Sequence, residues 1–262
     1  MAIKLIASDM DHTLLTEAGQ LPPQFVAHVT QLAAKGILFV AASGRPLYTL
    51  KQMFPTLADQ MCYVGDNGGV ISYRGQLLFK SLLPLNDYQR MVQFVNQSQT
   101  GIGMICGMDA VYIERQYAGL DATFKQFYSK INYVDDLTQI TAEADKFTVY
   151  FPEKNSQHFY ETVYGLEFGS NYSVTVAGLE WIDIMNQGVN KGHAMQILAD
   201  YFKITPDEMM AFGDTYNDKE MLQTVKYSYL MGNAAPEMAQ YATYRADTND
   251  NYGVLKEIQK LL

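Results

Sequence analysis

Basic residues are scarce. The 262 residues include 19 Lys and Arg against 28 Asp and Glu, a net charge of −9 with the four His neutral. Nucleic-acid affinity comes largely from Lys and Arg neutralising phosphates. Without a basic run, no nucleic-acid or anionic-membrane partner is expected. An acidic protein that binds a small anion needs local help from a metal or from helix N-termini. Cysteine is nearly absent. Cys62 and Cys106 form neither a disulfide framework nor a paired-cysteine metal signature, and their flanks read as strand interior holding plain buried thiols. Long apolar runs are also missing. Lys4, Asp9 and Asp11 interrupt any signal-peptide core, and nothing approaches the ~18 apolar residues of a membrane span. A cytoplasmic protein is the expectation. The four His lack metal-ligand spacing, and His28 and His158 read as surface residues on helices. Trp181 and the Tyr-rich middle of the chain read as packing. No Ser–His–Asp constellation, phosphate-binding P-loop, Gly-x-Gly-x-x-Gly or internal repeat is present.

What is present suffices for a full core. Hydrophobic residues make up 48% and charged residues 18%, so a disordered chain is excluded. The length suits one large domain or two modest ones. Short apolar runs at Ile3–Ser8, Ile37–Ala42, Cys62–Gly65 and Met209–Gly213 suit strands buried on both faces. Helical patterns over Pro22–Lys35 and Pro46–Phe54 separate the first three. Val70–Tyr73 and Leu77–Lys80 form a predicted hairpin. Strand–helix–strand–helix–strand argues a parallel sheet with right-handed crossovers. From about Pro84 to Gln187 the texture changes. Strand-like pieces (Gly103–Cys106, Ala110–Glu114, Phe147–Phe151, Ser173–Ala177, Glu180–Met185) alternate with helical ones (Asp87–Asn96, Ala118–Lys130, Ser156–Leu166). The first texture then returns, with a helix capped by Asn190. The expected fold is α/β: a doubly wound, Rossmann-like parallel-sheet core over 1–83 and 188–262, with an α+β cap domain inserted over 84–187.

Asp9, Ser43 and Asp214 each follow a short apolar strand. Open parallel sheets bind ligands at that carboxyl edge. In Asp9-Met10-Asp11-His12-Thr13, one carboxylate could attack as a nucleophile while the other moves protons; alone, Asp-x-Asp also reads as a turn with a helix start. Ser43-Gly44-Arg45-Pro46 offers a hydroxyl and backbone N–H groups before a helix, an anion site in which Gly44 permits close approach; it also reads as an ordinary Ser cap. Lys191, in the first turn of a helix, opposes the dipole preference and makes sense beside a bound anion; a solvated lysine is the plainer reading. Gly213-Asp214-Thr215-Tyr216-Asn217-Asp218 suits a hard cation such as Mg²⁺, or an Asp-rich helix start.

In this order the four pieces resemble the motifs of the haloacid dehalogenase-like hydrolase superfamily. Asp9-Met10-Asp11-His12-Thr13-Leu14 is similar to its first motif, Ser43-Gly44-Arg45 to its second, Lys191 to its third and Gly213–Asp218 to its fourth. The long insertion, with Asp66-Asn67-Gly68-Gly69 and Met231-Gly232-Asn233-Ala234, resembles the Cof-type subgroup with a class IIB cap. The likeness spans the chain. One departure stands out: the fourth position of the first motif is usually Gly and is His12 here, so a side chain has to fit that tight turn.

The resemblance implies an Mg²⁺-dependent phosphomonoester hydrolase acting on small phosphorylated metabolites, sugar phosphates foremost. It implies Asp9 as nucleophile forming an aspartyl-phosphate, and Asp11 as general acid and base. Thr13 would shape the loop as part of the substrate site. Ser43, Gly44 and Lys191 would hold phosphoryl oxygens, and Asn217 would touch phosphate or a bound water. The metal would sit on Asp9, the Asp11 backbone carbonyl and Asp214, with Asp218 orienting that shell or pairing with Lys191. The inserted domain would act as a lid. A phosphomutase on the same core and an idle phosphometabolite-binding protein are the alternatives. The expected partner is a small-molecule phosphomonoester, and the chain a monomer or homodimer. Asn67, Cys106-Gly107 and Asp183 are candidate pocket residues whose plainer reading is structural.

Overall fold

The structure, a computed structural model, describes residues 2–262. Two sheets organise it. The first contains β1 (Leu5–Ser8), β2 (Leu38–Ala42), β3 (Met61–Gly65), β4 (Val70–Tyr73) and β5 (Gln76–Lys80), and the second contains β6 (Ile102–Gly107), β7 (Val111–Glu114), β8 (Ile131–Val134), β9 (Ala144–Tyr150), β10 (Tyr172–Val176) and β11 (Trp181–Asn186). The chain then returns to the first sheet with β12 (Met209–Gly213), β13 (Tyr227–Leu230) and β14 (Tyr244–Arg245). The first sheet runs β14-β13-β12-β1-β2-β3-β4-β5. It is parallel from β14 to β3 and antiparallel only along the β3-β4-β5 meander. The second runs β10-β11-β9-β6-β7-β8, antiparallel except for β7 beside β8.

The apolar runs form strands because both their faces are covered. Ile6, Phe39, Ala41 and Tyr63 pack on one side with Phe25, Val29 and Leu32 of the helix Phe25–Ala34. Leu5, Ala7, Val40, Ala42 and Val64 pack on the other with Ala194, Met195 and Leu198 of the helix Lys191–Phe202. This is the doubly wound α/β arrangement, and the second sheet carries a separate core that includes Phe147, Val149, Ile182 and Ile184. The chain crosses between the sheets at 81–84 and again at 187–190. Asn186 ties the crossings together, its Nδ2 donating to Ser81 Oγ at 2.9 Å and to the Leu82 carbonyl at 2.8 Å.

Three expectations are corrected. The helix over Ala118–Lys130 is a 3-10 turn (Arg115–Leu120) and one helical turn (Asp121–Phe124), followed by strand β8. Ile131 and Val134 are the β-branched residues that favour pairing with β7. Strand β9 begins at Ala144, so it buries the charged pair Asp145-Lys146, which polarity alone places outside a strand. His28 is buried rather than on the surface. Its Nδ1 donates to the Gln24 carbonyl at 2.7 Å, and its Nε2 accepts from Gln259 Nε2 at 3.2 Å. Both cysteines are buried thiols on β3 and β6. Trp181 packs among Phe124, Phe127, Tyr128 and Tyr150.

Candidate active site

The carboxyl ends of β1, β2 and β12 lie side by side, because β1 pairs with both of the others. Asp9, Ser43 and Asp214 therefore share one edge. After Asp9 the chain makes an irregular turn over Met10–Leu14, closed by Leu14 N–H on the Asp9 carbonyl at 3.2 Å and Leu15 N–H on the Met10 carbonyl at 2.8 Å. His12 takes φ 59° there, the left-handed region that glycine enters without strain.

Lys191 is wholly buried and faces this edge. Its Nζ donates to Asp9 Oδ1 at 2.5 Å and to Asp218 Oδ1 at 2.6 Å. Asp218 is also fully buried. Its second oxygen accepts the backbone N–H of Asp214 at 3.0 Å and of Thr215 at 3.3 Å. Thr13 Oγ1 donates to Asp214 Oδ1 at 2.9 Å. Burial pushes the Asp9 carboxyl well above its usual range; Lys191 opposes the shift, and Asp218 and Asp214 add to it. Burial, then Asp218, pushes Asp214 up to about 7. Lys191 is held above the usual lysine range: burial works against its charge, but Asp218 and Asp9 outweigh it.

Asp9, Asp214 and Asp218 bring carboxylate oxygens within 4.8 Å of one another. Oxygen donors of this hardness suit Mg²⁺, and a divalent cation would offset the repulsion that raises Asp9 and Asp214. The donors fit the ion. Both Asp218 oxygens are already engaged by the protein. The second oxygens of Asp9 and Asp214 have no hydrogen-bond partner among the described residues; that of Asp214 is free for an ion, and that of Asp9 is free for an ion or a substrate.

The second motif closes the other side. Arg45 forks onto Asp11, with Nε on Oδ2 at 2.9 Å and Nη2 on Oδ1 at 2.6 Å. Nη1 of Arg45 reaches the Gln126 carbonyl of the inserted region at 2.7 Å. Ser43 Oγ accepts the Arg45 N–H at 3.1 Å, which leaves its own proton free to donate. From β9, Lys146 Nζ donates to the Gly44 carbonyl at 2.8 Å and stands 3.1 Å from Asp66 and 3.4 Å from Asp183. Burial opposes its charge, but Asp183 and Asp66 hold it well above the usual lysine range. Lys146 was not legible as a site residue; a charged pair inside an apolar strand was the available signal.

A cavity of about 460 Å³ opens between the sheets. Asp9, Asp11, Ser43, Gly44, Asp214 and Asn217 line its floor, and Phe127, Lys146, Trp181 and Asp183 its roof. Thr13 and Lys191 are not in its lining: each acts on a carboxylate that is. The Asp11 side chain is engaged by Arg45 and stands outside the carboxylate cluster. Among the candidate pocket residues Asp183 reaches the cavity, whereas Asn67, Cys106 and Gly107 lie behind its wall. No helix among the described residues is long and apolar enough to cross a membrane.

Comparison with known proteins bears on this geometry. The family described as haloacid dehalogenase-like hydrolase matches residues 6–258. A 5-amino-6-(5-phospho-D-ribitylamino)uracil phosphatase of Escherichia coli is 30% identical, over 100% of this chain and 97% of its own. A crystal structure from Streptococcus mutans superposes with a TM-score of 0.91 at 30% identity, covering 99% of this chain and 98% of that one. A structure described as a subclass IIB sugar phosphatase reaches a TM-score of 0.83 at 20% identity, covering 99% and 100% of the two chains, and shows the shared fold.

Proposed function

The chain belongs to the haloacid dehalogenase-like hydrolase family and is a phosphatase, and from that premise we propose that it hydrolyses small phosphomonoesters, sugar phosphates foremost, through a phosphorylated Asp9. The observation that carries this reading is the buried Lys191 bridging Asp9, on the floor of the cavity, to Asp218 beneath it. The lysine turns one Asp9 oxygen inward and leaves the other facing the substrate space.

In the first step the free Asp9 oxygen forms a bond to phosphorus as the ester P–O bond breaks. The leaving oxygen takes a proton from Asp11. In the second, water attacks the aspartyl phosphorus, gives its proton to Asp11, and the P–O bond to Asp9 breaks. Arg45 holds both Asp11 oxygens in the closed arrangement and so occupies the atoms that would carry the proton. The acid step therefore requires the substrate to draw Arg45 away. Lys191, the Ser43 hydroxyl and the backbone at Gly44 balance charge on the phosphoryl oxygens. Mg²⁺ held by Asp9, Asp214 and the Asp11 carbonyl would offset repulsion between two anions and stabilise the transferring group. The region over 84–187 is the lid, and the crossings at its two ends are the hinges.

The test is phosphate release from a panel of sugar phosphates and an aryl phosphate, with Mg²⁺ and with chelator, using wild type and Asp9→Asn. Magnesium-dependent release lost in the variant is the expected outcome. No release above the variant on any substrate would leave a binding protein instead. Isomerised product with a bisphosphorylated sugar would indicate a mutase.

A further inference from the structure

Each of three successive carbonyls in the loop after β2 is held by a donor from outside that loop. The Ser43 carbonyl accepts the Asn67 N–H at 2.9 Å, and the Arg45 carbonyl accepts the Asp66 N–H at 3.0 Å. Both donors belong to the turn after β3, where Asp66 and Asn67 take φ 48° and 53°, a costly conformation that persists where its surroundings hold it. A Cβ on Gly44 would meet the Asn67 amide at 3.2 and 3.3 Å, so the loop lies hard against that turn. The middle carbonyl, that of Gly44, accepts from Lys146 Nζ at 2.8 Å, and Lys146 comes from β9 of the other sheet. In a trans peptide the N–H and the C=O point opposite ways, and every described peptide is trans. Holding the Ser43 carbonyl therefore aims the Gly44 N–H away from the 66–67 turn. That N–H has no partner among the described residues, and Gly44 lines the cavity. The Gly44–Arg45 peptide is gripped on both sides: Lys146 takes its oxygen, and its N–H reaches Ser43 Oγ at 3.1 Å. Because Ser43 Oγ accepts there, its own proton is left for another acceptor.

We propose that Lys146 is a positioning residue for phosphate: from the cap it keeps the Gly44 carbonyl out of the phosphate site, and so leaves the Gly44 N–H and the Ser43 hydroxyl as the donors there. The role rests on the phosphatase reading and adds to it a residue of the inserted region. Lys146 is 2% exposed and stands 3.1 Å from Asp66 Oδ1 and 3.4 Å from Asp183 Oδ2. Its charge is matched by these two carboxylates, so it acts on phosphate through the loop and not by contact. Without it the Gly44–Arg45 peptide is held on one side only. Gly44 has no side chain to oppose its turning. A carbonyl oxygen turned into the cavity would repel phosphoryl oxygens that a donor has to meet. The phosphate loop is therefore complete only while the cap is shut.

The test compares Lys146→Met with the double variant Lys146→Met, Asp183→Asn. The single change removes the donor but also leaves Asp66 and Asp183 without their cation. The double change removes the donor and restores the net charge. Its new amide can present an oxygen to Asn67 Nδ2 and a nitrogen to Thr148 Oγ1, the present partners of Asp183, because a hydroxyl accepts as well as donates. With inorganic phosphate and Mg²⁺, calorimetry is expected to show phosphate binding about tenfold weaker in both variants, the scale of one lost hydrogen bond. Mg²⁺ binding without phosphate should stay within about twofold of wild type in the double variant, since Asp9 and Asp214 are untouched. Wild-type phosphate binding in the double variant overturns the proposal, because charge rather than the carbonyl would then be what Lys146 supplies. Wild-type phosphate binding in Lys146→Met, or loss of Mg²⁺ binding along with phosphate, overturns it too. A second measurement needs no variant and decides the matter should the variants not fold. Gly44-Arg45 is the only Gly-Arg pair in the sequence, so carbonyl-labelled glycine with nitrogen-labelled arginine identifies the Gly44 carbonyl resonance. With nitrogen-labelled lysine and bound inorganic phosphate and Mg²⁺, a scalar coupling across the hydrogen bond from Lys146 Nζ to that carbon is expected. Its absence in the phosphate-bound protein overturns the proposal. Coupling and phosphate binding intact in a protein that releases no phosphate from any ester would support the positioning role and refute the phosphatase reading alone.

Discussion

Lys191 Nζ is held between Asp9 Oδ1 at 2.5 Å and Asp218 Oδ1 at 2.6 Å, and both the lysine and Asp218 are shut off from solvent. One buried cation thus serves two buried carboxylates. Removing it leaves uncompensated charge, and breaking such a pair costs about 3–5 kcal/mol. Lys191→Met is expected to lose stability on that scale at pH 8. The loss should be smaller at pH 5, where the abandoned Asp9 carboxyl, already pushed up by burial, can take up a proton. Turnover should fall by at least about 100-fold, the scale of removing one preorganised charge-stabilising donor. Urea unfolding at the two pH values checks the first claim and single-substrate kinetics the second. Equal stability losses at both pH values would show that packing, not charge, is what the lysine supplies.

Asp214, pushed up to about 7 chiefly by burial and next by Asp218, links stability to pH in the metal-free protein. Its folded value lies above the ordinary 3.8. Between the two values the folded chain keeps a proton that the unfolded chain has released, so stability falls as pH rises through that window. Without metal, the melting temperature is expected to drop between about pH 4 and pH 7. Added Mg²⁺ binds the ionised form and should raise it at pH 8, with little effect at pH 5. Calorimetry with chelator and with Mg²⁺ measures both. A magnesium shift as large at pH 5 as at pH 8 would refute the linkage.

Arg45 spans the two sheets, with a fork on Asp11 and its Nη1 on the Gln126 carbonyl. A lysine cannot supply a planar fork and a third donor together. Arg45→Lys is expected to raise KM about tenfold, because the guanidinium that substrate draws off Asp11 would then hold the phosphate, and charge-assisted bonds of this kind are worth about 1.5–3 kcal/mol. Global stability should change by less than about 1 kcal/mol, because the pair is partly exposed. Hydrogen exchange over 124–130 should speed up as the latch weakens. Unchanged exchange there would separate Arg45 from closure.

The legible part of the molecule was the part where one rule dominates. A strand covered on both faces reads as a short apolar run, and the polar residue ending it marks the ligand edge. That is why Asp9, Ser43 and Asp214 could be placed together before any coordinates. Lys191 gave a weaker sign: a lysine in a first helical turn sits against the dipole preference, yet its plainer reading is a solvated one until Asp9 and Asp218 are seen around it. Asp145-Lys146 hid the start of strand β9 for the same reason: polarity argued against burial, while the partners Asp66 and Asp183 lie far away in sequence. The fork from Arg45 to Asp11 depends on side-chain direction, which spacing does not encode. The segment over 118–130 failed locally, since its helical spacing yields a single turn before β8.

His12 occupies a turn position that the family usually gives to glycine, and its φ of 59° explains that preference. The residue pays locally for its side chain, and its contacts return little. Nδ1 pairs with Glu17 Oε1 at 2.9 Å, with both side chains more than half exposed, and exposed pairs contribute about 0–1 kcal/mol. Its carbonyl accepts from Asn233 Nδ2 at 2.8 Å, a bond that survives any side chain. His12→Gly should therefore leave stability within about 1 kcal/mol and kcat within about threefold. His12→Val keeps a side chain but is β-branched, which the left-handed region tolerates poorly. It should cost about 1–2 kcal/mol and, by shifting Asp11 relative to Asp9, lower kcat at least about tenfold. Denaturant titration and steady-state kinetics of the two variants decide the matter. A glycine variant as damaged as the valine one would show that the imidazole, rather than the turn, is what the position requires.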